Sequence, residues 1–319
     1  MLDIVTFGSA LVDIFVDTGL KELKTKKKKF IAYNVGEKFL IKETNQFTGG
    51  GGTNTAVGFS RMGLKTGIIT KLGNDWAGDV VLNELKKEKI KFLGKIINGK
   101  SAFSVILDSY EHNRTILTYK SITNEITMDD FKLPETQYIY FSSLMKESHK
   151  SQEKLAALAK LKNIKTVYNP SSYQTKKGRT YFSRMLRNID ILIFNLDEAK
   201  MISKKKKIKD ILKDLGSLGP EIVCITDGAK SVDVFDGVHY YSAQPHKIKV
   251  KERTGAGDGF ASGFISTYIK KNDIPLAIKV GIINSESIIQ YKGAKNKLLK
   301  YHEAIKILKQ MPIKILAKL

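Results

Sequence analysis

Short apolar runs alternate with amphipathic stretches along most of the chain, and this alternation restricts the fold more than any other feature of the sequence. Strand-like apolar runs include Ile4–Phe7, Gly67–Leu72, Tyr138–Phe141, Thr166–Tyr168, Ile189–Phe194 and Ile222–Thr226. Helical spacing of apolar residues occurs between them, as at Ala77–Lys87, Gln152–Leu161 and Ile208–Leu215. Buried strands separated by helices predict an α/β fold, with a mostly parallel sheet and helices on both of its faces.

Two regions interrupt this alternation, because they contain alternating polar and apolar residues without a helix between them. In the second region, Ser101–Leu107 and Arg114–Tyr119 are predicted to be β-strands that turn back on each other. We therefore expect a small β-sheet, apart from the main one, that forms a lid. The predicted division is a core of residues 1–16, 48–94 and 122–319 and a β-lid of residues 17–47 and 95–121.

The segment Gly94–Ser101, GKIINGKS, matches the phosphate-binding pattern G-x-x-x-x-G-K-[ST] at every fixed position. A loop of that type follows a buried strand and leads into a helix, whose N-terminus helps to hold the phosphates. Here a helical pattern and lysine-rich residues precede the segment, and a predicted strand follows it. Asn98 and Gly99 both tolerate positive φ, so we interpret the segment as a hairpin turn and not as a phosphate loop.

The formal net charge is +22, which raises the question of whether nucleic acid is a partner. Only six of the 54 basic residues are Arg, the residue whose forked guanidinium most often reads bases and phosphates. The runs Lys26–Lys29 and Lys204–Lys207 are typical of solvated loops or helix faces. We expect no specific nucleic-acid partner, and steeply salt-dependent binding would be the sign of one.

The single cysteine, Cys224, excludes an internal disulfide framework and is typical of a reducing compartment. Asp3, Asp13 and Asp17 interrupt the apolar residues near the N-terminus, so we expect no signal peptide there. No apolar run reaches the length of a membrane span. These features predict a cytoplasmic protein without a membrane partner.

A stronger candidate for phosphate chemistry is the segment Glu252–Phe264, ERTGAGDGFASGF. Apolar residues in and after it have helical spacing, so Gly255–Gly257 is predicted to form a turn into a helix with Asp258 in its first turn. Small residues let backbone N–H groups approach an anion, and the helix dipole adds to the attraction. Asp258 would then be a general base beside an anion site, although an Asp that only stabilises a helix start gives the same pattern.

A second glycine cluster lies near the start of the chain, at Gly49–Gly58, GGGGTNTAVG. Consecutive glycines become ordered at an entropic cost, so they are expected where something must approach the main chain closely. The amide of Asn54 suits recognition of hydroxyl groups, because it offers both donors and an acceptor. A flexible loop is the alternative interpretation of this composition.

The order of these motifs along the chain resembles the ribokinase/PfkB family of carbohydrate and nucleoside kinases. The motifs that carry the resemblance are GSALVD at Gly8–Asp13, GGGGTNTA at Gly49–Ala56, LGNDWAG at Leu72–Gly78, NLDE at Asn195–Glu198, ITDGAKS at Ile225–Ser231, TGAGD at Thr254–Asp258 and GA at Gly293–Ala294. Each motif is short, but the combination is specific and covers nearly the whole chain.

The resemblance implies a doubly wound α/β core with a β-lid that closes over the substrate. It implies transfer of the γ-phosphoryl group of ATP to a hydroxyl of a small sugar or sugar-like substrate, a reaction that depends mostly on positioning and charge stabilisation. Lids of the family often pair across a dimer, and the lid strands would otherwise leave exposed edges, so we expect a homodimer through the lid.

The resemblance also implies roles for single residues of this sequence. The catalytic group would be Asp258 as general base, with the backbone of Gly255, Ala256 and Gly257 as the anion hole. Substrate hydroxyls would be bound by Asp13, Gly50, Gly51 and Asn54. The nucleotide would be bordered by Asn195, Thr226 and Gly228, and Mg²⁺ would be organised by Asn195 and Glu198.

The sequence departs from the family at several positions. Glu252 stands where many members have an Asp that helps to hold a monovalent cation, so the need for such a cation is left open. Leu11 and Gly51 replace the polar residue and the lysine that are usual in ribose-specific members, which argues against ribose. Arg114, on a predicted lid strand, is expected to bind a carboxylate or phosphate of the substrate, although it would equally suit an exposed hairpin.

Three alternatives to a simple sugar kinase stay open from the sequence. A nucleoside (adenosine-type) kinase would need an apolar or aromatic slot for the base, for which Phe39, Phe47 and Phe103 are candidates. A sugar-phosphate kinase would need cationic groups over the sugar, for which Arg114 and Lys120 are candidates. A catalytically silent binding protein is less expected, because the motif residues are retained.

Overall fold

The computed structural model describes residues 1–25, 28–110, 113–291 and 293–318. The strands of the first half are β1 (Leu2–Phe7), β2 (Leu11–Asp17), β3 (Leu23–Lys24), β4 (Lys29–Phe30), β5 (Glu43–Gly49), β6 (Thr66–Ile69), β7 (Lys71–Gly73), β8 (Lys91–Phe92), β9 (Lys95–Ile97), β10 (Ala102–Asp108) and β11 (Arg114–Tyr119). Those that follow are β12 (Thr136–Ser142), β13 (Lys165–Asn169), β14 (Ile191–Asn195), β15 (Ile222–Thr226), β16 (Val232–Phe235), β17 (Tyr240–Ala243) and β18 (Ile315–Lys318).

The helices lie mostly between the strands of the main sheet. They are α1 (Gly51–Arg61), α2 (Trp76–Lys87), α3 (Lys146–Leu161), α4 (Ser172–Thr175), α5 (Arg179–Leu186), α6 (Leu196–Ser203), α7 (Ile208–Gly216), α8 (Ala256–Lys271), α9 (Ile274–Ile289) and α10 (Tyr301–Gln310). Two short 3₁₀ helices, Ser121–Asn124 and Met128–Asp130, connect β11 to β12.

Among the described residues, ten strands form the larger sheet, in the order β18-β17-β16-β15-β14-β13-β12-β1-β6-β8. The strands from β15 to β8 are parallel to their neighbours, and β16, β17 and β18 add antiparallel pairs at the far edge. The chain leaves β1 toward β6 on one side and later returns to β12 on the other. Ligands of open α/β sheets bind at such a reversal of strand order, at the carboxyl ends of the strands.

Helices cover both faces of this sheet because successive strand residues point to opposite sides. On β1, Ile4 packs with Phe59 of α1 and Phe264 of α8, whereas Val5 packs on the other face with Leu155 of α3. All five side chains are fully buried, and burying one such side chain contributes about 1.5–3 kcal/mol to stability. The α/β architecture predicted from the alternation of strands and helices is confirmed.

A separate four-stranded sheet, which we call the lid sheet, has the order β11-β10-β2-β5. Strands β10 and β11 are antiparallel, as the sequence predicted, and β10 also pairs in parallel with β2. Strand β2 follows β1 after only three residues, so it connects the lid sheet directly to the middle of the main sheet. The predicted small sheet is therefore present, and it includes residues 11–17 as its third strand.

The segment Gly94–Ser101 does not form the predicted hairpin. Strand β9 within it pairs in parallel with β7, and Asn74 N donates to Ile97 O over 2.9 Å. A Cβ atom built on Gly73 would lie 2.1 Å from the carbonyl oxygen of Gly99, so the two chains pack too closely for a side chain. The hairpin prediction is wrong because this tertiary pairing overrides the local turn preference. Strand β10 and not a helix follows, which agrees with the absence of a phosphate loop.

The lysine runs lie on the surface where the structure describes them. Lys204–Lys207 is exposed, as are Lys28 and Lys29, whereas Lys26 and Lys27 lie outside the described residues. Among the described residues, the helices are all too short or too polar to cross a membrane.

Candidate active site

Helix α8 begins at Ala256 and carries Asp258 in its first turn, as the helical spacing predicted. Gly255 precedes the helix with φ of +82°, a left-handed conformation that favours glycine. A Cβ atom built on Gly255 would lie 2.7 Å from Cβ of Ala294, whereas one built on Gly257 would meet nothing within 4 Å. Gly255 is thus held against the GA motif, and Gly257 presents its backbone to open space.

The carboxylate of Asp258 joins helices α1 and α8, because Asn54 Nδ2 donates a hydrogen bond to Asp258 Oδ2 over 2.8 Å. Burial raises the pKa of Asp258 to about 6, and the hydrogen bond from Asn54 and the charge of Lys295 act in the opposite direction. Such a carboxyl group is mostly ionised at pH 7, yet it accepts a proton more readily than an ordinary aspartate.

The N-terminal glycine turn leads into helix α1, close to Asp258. Gly50 has φ of +94°, and a Cβ atom built on it would lie 2.5 Å from the carbonyl oxygen of Ser9. A Cβ atom on Gly52 would lie 2.6 Å from the carbonyl carbon of Gly8. Close packing against the end of β1 therefore requires glycine at these positions, and it brings Gly51 within reach of Asp258.

Asp13 lies on β2, opposite Ser104 of β10 in the lid sheet. Burial raises the pKa of Asp13, while the hydrogen bond with Ser104 and the charge of Lys295 lower it. The charges of Glu252 and Arg114 also act on this carboxyl group, in opposite directions. Asp13 is thus a half-buried carboxylate at the joint between the lid sheet and the core.

Two cavities meet at the start of helix α8. The first, which we call the apolar cavity, has a volume of 380 Å³ and is lined by residues that include Thr226, Gly228, Val232, Val250, Ala256, Gly257, Ile282 and Ile289. The second, the polar cavity, has a volume of 280 Å³ and is lined by residues that include Ser9, Leu11, Gly51, Lys120, Ser142, Asn169, Tyr173 and Asp258. Successive residues of one helix turn therefore line different cavities.

Comparison with known proteins identifies the family. The model of the pfkB family carbohydrate kinases matches residues 3–300. The ATP-dependent 6-phosphofructokinase of Thermoanaerobacterium thermosaccharolyticum is 24% identical over 305 residues, 92% of this chain and 89% of that protein. A ribokinase of Lactococcus lactis subsp. lactis is 25% identical over 290 residues, 88% of this chain and 92% of that protein. The chain belongs to the pfkB family of carbohydrate kinases.

The fold agrees with this assignment. A carbohydrate kinase from Agrobacterium tumefaciens superposes with a TM-score of 0.80 at 21% identity, covering 99% of this chain and 100% of that chain. As a pfkB-family member the protein is an ATP-dependent carbohydrate kinase, and kinases of this family use ATP, typically with Mg²⁺. The prediction from the motifs that this chain is an ATP-dependent carbohydrate kinase of the family is confirmed.

The pfkB-family residues Asn195 and Glu198 form the cap of helix α6, outside the lining of both cavities. Asn195 Oδ1 accepts from Glu198 N over 2.9 Å, and Glu198 Oε2 accepts from Asn195 N over 3.2 Å. Ser172 donates to Glu198 Oε1, and burial raises the pKa of Glu198. Within the described residues no three His, Cys, Asp or Glu side chains form a metal-binding cluster. The single carboxylate of Glu198 is compatible with Mg²⁺, because proteins usually bind this ion through one or two carboxylates together with substrate phosphates and water.

Glu252 is engaged by the protein itself. Arg114 Nη1 of β11 contacts Glu252 Oε1 at 2.5 Å, and Gly293 N donates to Glu252 Oε2 over 2.9 Å. Both carboxylate oxygens therefore already have partners, one of them a permanent cation. The residues do not fit a monovalent cation held by Glu252 in this arrangement.

Sequence reasoning missed several polar residues of the site. Ser142 and Asn169 are the last residues of β12 and β13, and both line the polar cavity. Their signal was their place at the carboxyl ends of parallel strands, where sites of α/β folds form. Lys295 is almost fully buried and contacts Glu84 at 2.5 Å, but nothing in the sequence distinguishes it from the other lysines of the chain.

Proposed function

We propose that Asp258 takes the proton of an acceptor hydroxyl in the polar cavity while that oxygen attacks the γ-phosphorus of ATP in the apolar cavity. The bond from the acceptor oxygen to phosphorus forms, the bond to the ADP oxygen breaks, and the proton passes to Asp258. One observation carries the proposal: Ala256 and Gly257 line the apolar cavity, and Asp258 lines the polar one. The base and the phosphate site therefore adjoin, as direct transfer requires.

The backbone of Gly255, Ala256 and Gly257 would form the anion hole for the transferred group. Their N–H groups lie at the start of α8, where the helix dipole favours negative charge, and Ala256 N also donates to Arg253 O over 3.2 Å. The open space beside Gly257 supports this role, because a phosphate oxygen could reach the backbone there. Donors fixed before the reaction stabilise the developing charge without reorganising.

The apolar cavity would hold the nucleotide. Thr226 and Gly228 lie at the end of β15 and line it, and Val232 and Val250 are among its apolar walls. Gly228 has φ of +54°, and a Cβ atom built on it would meet nothing within 4 Å. Cofactor pockets of this kind combine apolar walls for a ring system with a few placed polar groups. Asn195, the last residue of the adjacent strand β14, pairs with Thr226 and would border the nucleotide from outside the cavity lining.

Asn195 and Glu198 would organise Mg²⁺ through water, as the resemblance implied. Glu198 supports this because its carboxylate is fixed by hydrogen bonds from Ser172 and from the backbone of Asn195. When bound, Mg²⁺ would neutralise charge on the phosphates. The residues of this chain would hold its water shell in place.

The acceptor hydroxyls would be bound by Asp13, Gly50, Gly51 and Asn54. Of these, Gly51 lines the polar cavity, and Asn54 donates a hydrogen bond to Asp258, which also lines it. Support comes from unpaired polar atoms: Asn54 Oδ1 and Ser142 Oγ are buried and make no hydrogen bond within the described residues. Unpaired buried polar groups are costly, so a ligand that supplies their partners gains specificity. Gly51 and Ser142 both line the cavity, which suits a small polyol.

A phosphorylated or otherwise anionic sugar is a second candidate acceptor, and Lys120 favours it. Lys120 lines the polar cavity, and its Nζ lies 4.3 Å from the centre of the Tyr173 ring. Within the described residues it makes no ion pair with a carboxylate, and burial lowers its pKa. An anionic group on the acceptor would pair with this ammonium. One relative of the chain, the ATP-dependent 6-phosphofructokinase, is also named for a phosphorylated sugar.

A nucleoside acceptor has less support. The aromatic residues considered for a base slot pack elsewhere: Phe39 lies against Tyr33, and Phe47 lies against Phe15. Phe103 contacts Trp76 and Tyr119 outside the polar cavity. Among the described residues that line the polar cavity, Tyr173 is the one aromatic residue, and Lys120 Nζ lies over its ring.

We also propose a homodimer through the lid sheet in the cytoplasm. Strands β11 and β5 are the edges of that sheet, and the residues of β11 are exposed, among them Ile116 and Leu117. An exposed strand edge with apolar side chains is a ready template for pairing with a second copy. Light scattering of the protein at increasing concentration would measure the oligomeric state.

The experiment that tests the function is ADP release from Mg·ATP across neutral sugars, sugar acids, sugar phosphates and nucleosides. Wild type is compared with Asp258→Asn and with Asp210→Asn, an exposed aspartate at the start of α7. We expect one acceptor class to give turnover that Asp258→Asn loses and Asp210→Asn keeps. Turnover that survives in Asp258→Asn would refute Asp258 as the base, and the absence of turnover with every acceptor would favour a silent protein.

A further inference from the structure

The ion pair of Arg114 and Glu252 joins the far end of the lid sheet to the core. Arg114 is the first residue of β11 and lies opposite Asp108 beside the loop between β10 and β11. The space between this end and the core is an open groove of 1040 Å³, also lined by Phe15 and Lys249. The guanidinium crosses this groove to reach a carboxylate whose side chain is only 8% exposed.

The second oxygen of Glu252 continues the connection to the catalytic turn. It accepts from Gly293 N over 2.9 Å, and the next residue, Ala294, packs against Gly255 so closely that Gly255 admits no side chain. Gly255 caps helix α8, in which Asp258 and Gly257 lie, and Gly257 faces open space. A continuous series of contacts therefore runs from β11 through Glu252 and the GA motif to the start of α8.

Backbone bonds fix Glu252 from the other side. Lys251 N and Glu252 N both donate to the carbonyl oxygen of Ile289 at the end of α9, over 2.8 and 3.1 Å. The carboxylate therefore has a fixed position relative to the core. The lid end of the pair is the part that can move, because Arg114 is an exposed residue of an edge strand with the groove behind it.

We propose that the Arg114–Glu252 pair, which we call the lid clamp, couples closure of the lid sheet to the shape of the Gly255–Gly257 turn. Arg114 is then a positioning residue: it acts through Glu252 and Gly293 and does not touch the reacting atoms. This assigns Arg114 a role different from direct binding of the acceptor. The inference rests on the proposed function, because the turn matters only if it holds the transferred phosphoryl group.

The clamp has a chemical reason to use arginine. A guanidinium is always charged and forms directed bonds with a carboxylate, so Arg114 holds Glu252 in one geometry. A mobile cation in the same place would be free to exchange. Asp13 lies within the field of both members of the pair. An acceptor that binds Asp13 under the lid sheet would favour the closed lid and therefore the clamp. ATP would then meet a complete anion hole more often when an acceptor is present than when it is absent, which limits wasteful hydrolysis.

The test compares Arg114→Met with Arg179→Met and Arg114→Lys. Arg179 is a matched control, since it pairs with Asp214 at 2.7 Å with 38% side-chain exposure, against 35% for Arg114, and lies away from both cavities. We expect Arg114→Met to lower kcat by about tenfold to 10²-fold, with a smaller change in the acceptor KM. The ratio of acceptor-independent ATP hydrolysis to acceptor phosphorylation should rise. Arg114→Lys should recover part of kcat, and Arg179→Met should match wild type.

A second measurement needs neither ATP nor acceptor. Trp76 is the single tryptophan of the chain, and its ring lies 6.4 Å from that of Phe103 on β10. Opening of the lid sheet should therefore expose Trp76 further, and acrylamide should quench its fluorescence more strongly in Arg114→Met than in wild type or Arg179→Met. This arm separates the clamp from the proposed function, because it reports lid position even if no acceptor supports turnover.

Two results would overturn the proposal. If Arg114→Met raised the acceptor KM and left kcat unchanged, Arg114 would bind the acceptor directly. If quenching of Trp76 were the same in Arg114→Met, Arg179→Met and wild type, the pair would not hold the lid. Loss of kcat in Arg114→Met together with greater quenching, and partial recovery in Arg114→Lys, would support the clamp.

Discussion

The two glycine turns of this kinase look alike in sequence but meet different neighbours. At the N-terminal turn, Cβ atoms built on Gly50 and Gly52 would collide with the chain's own backbone at Ser9 and Gly8. At the C-terminal turn, Gly255 is packed in the same way against Ala294, but Gly257 faces open space. A run of glycines therefore shows that something comes close to the backbone, and only the structure shows whether that is the protein or a ligand.

The difference assigns separate tasks to the two turns. The N-terminal turn brings α1 against the end of β1, so that Asn54 reaches Asp258. The C-terminal turn starts the helix that separates the polar and apolar cavities. We expect substitution of Gly52, which is packed against Gly8, to act mainly on stability, and substitution at the open position of the second turn to act mainly on catalysis.

The largest expected effect comes from the residue that both turns position. Asp258→Asn keeps the size of the side chain but removes the proton acceptor, so kcat should fall by about 10²–10⁴-fold, the usual scale of general base catalysis. Measurement of kcat with the best acceptor tests this, with thermal unfolding as the check that the variant is folded. A fall in kcat of less than tenfold would mean that Asp258 is not the general base and that the turns position another group for this role.

Gly257→Ala places a methyl group in the open space of the second turn. Since nothing of the protein lies within 4 Å, the fold should tolerate it, and the free energy of unfolding should not fall. The methyl group would keep the phosphate from the backbone, so kcat/KM for ATP should fall by about 10²-fold, the scale of one anion-hole donor. Gly216→Ala is the matched control, because Gly216 ends α7 and its nearest neighbour, the ring of Phe235, lies at 3.8 Å. Unchanged kinetics in Gly257→Ala would remove the distinction between the turns.

Gly52→Ala tests the packing assigned to the first turn. Its methyl group would lie 2.6 Å from the backbone of Gly8, where neither chain can move without shifting β1 or α1. Overpacking of this kind should reduce the free energy of unfolding by about 1–3 kcal/mol, as urea denaturation would measure. A stable variant that loses only acceptor binding would show that Gly52, like Gly51, faces the acceptor and is not limited by packing.

The pH dependence of kcat follows from the environment that the turns create around Asp258. Burial raises its pKa to about 6, and the base must be ionised to act. Activity should therefore be at its plateau above pH 7 and fall as the pH drops through 6, by about tenfold per unit below it. A pH–rate profile measures this, and Asn54→Asp, which places a second carboxylate beside Asp258, should move the acid limb to higher pH. A limb near pH 4 in wild type would contradict the buried setting.

The smallest expected effect concerns monovalent cations. Because Arg114 and Gly293 N already occupy the oxygens of Glu252, replacing K⁺ with tetramethylammonium at constant ionic strength should leave kcat unchanged. The measurement is the rate of acceptor phosphorylation in the two salts. A strong stimulation of kcat by K⁺ would mean that a cation supports the second turn from a site other than Glu252.

The helices and strands with a clear period could be predicted because the local sequence determines them. The spacing after Gly257 placed Asp258 in the first turn of a helix, and the apolar runs predicted β1, β12 and β15. The segment Gly94–Ser101 was not readable, because its strand pairs with β7, more than twenty residues away. Nor could the local pattern show that Arg114 meets Glu252 across 138 positions of the chain.

The sequence by itself determined the α/β fold, the family and the motif residues, because periodicity and motif order are properties of neighbouring residues. Only the tertiary structure decided which groups meet: that Ala256 and Asp258 line different cavities, that Ser142 Oγ has no hydrogen-bond partner among the described residues, and that Lys120 lines the polar cavity. Such contacts depend on the packing of distant segments, in which each side chain's neighbours are set by the whole fold. For the same reason the lid sheet, whose strands come from three separate stretches, was the part least determined by local pattern.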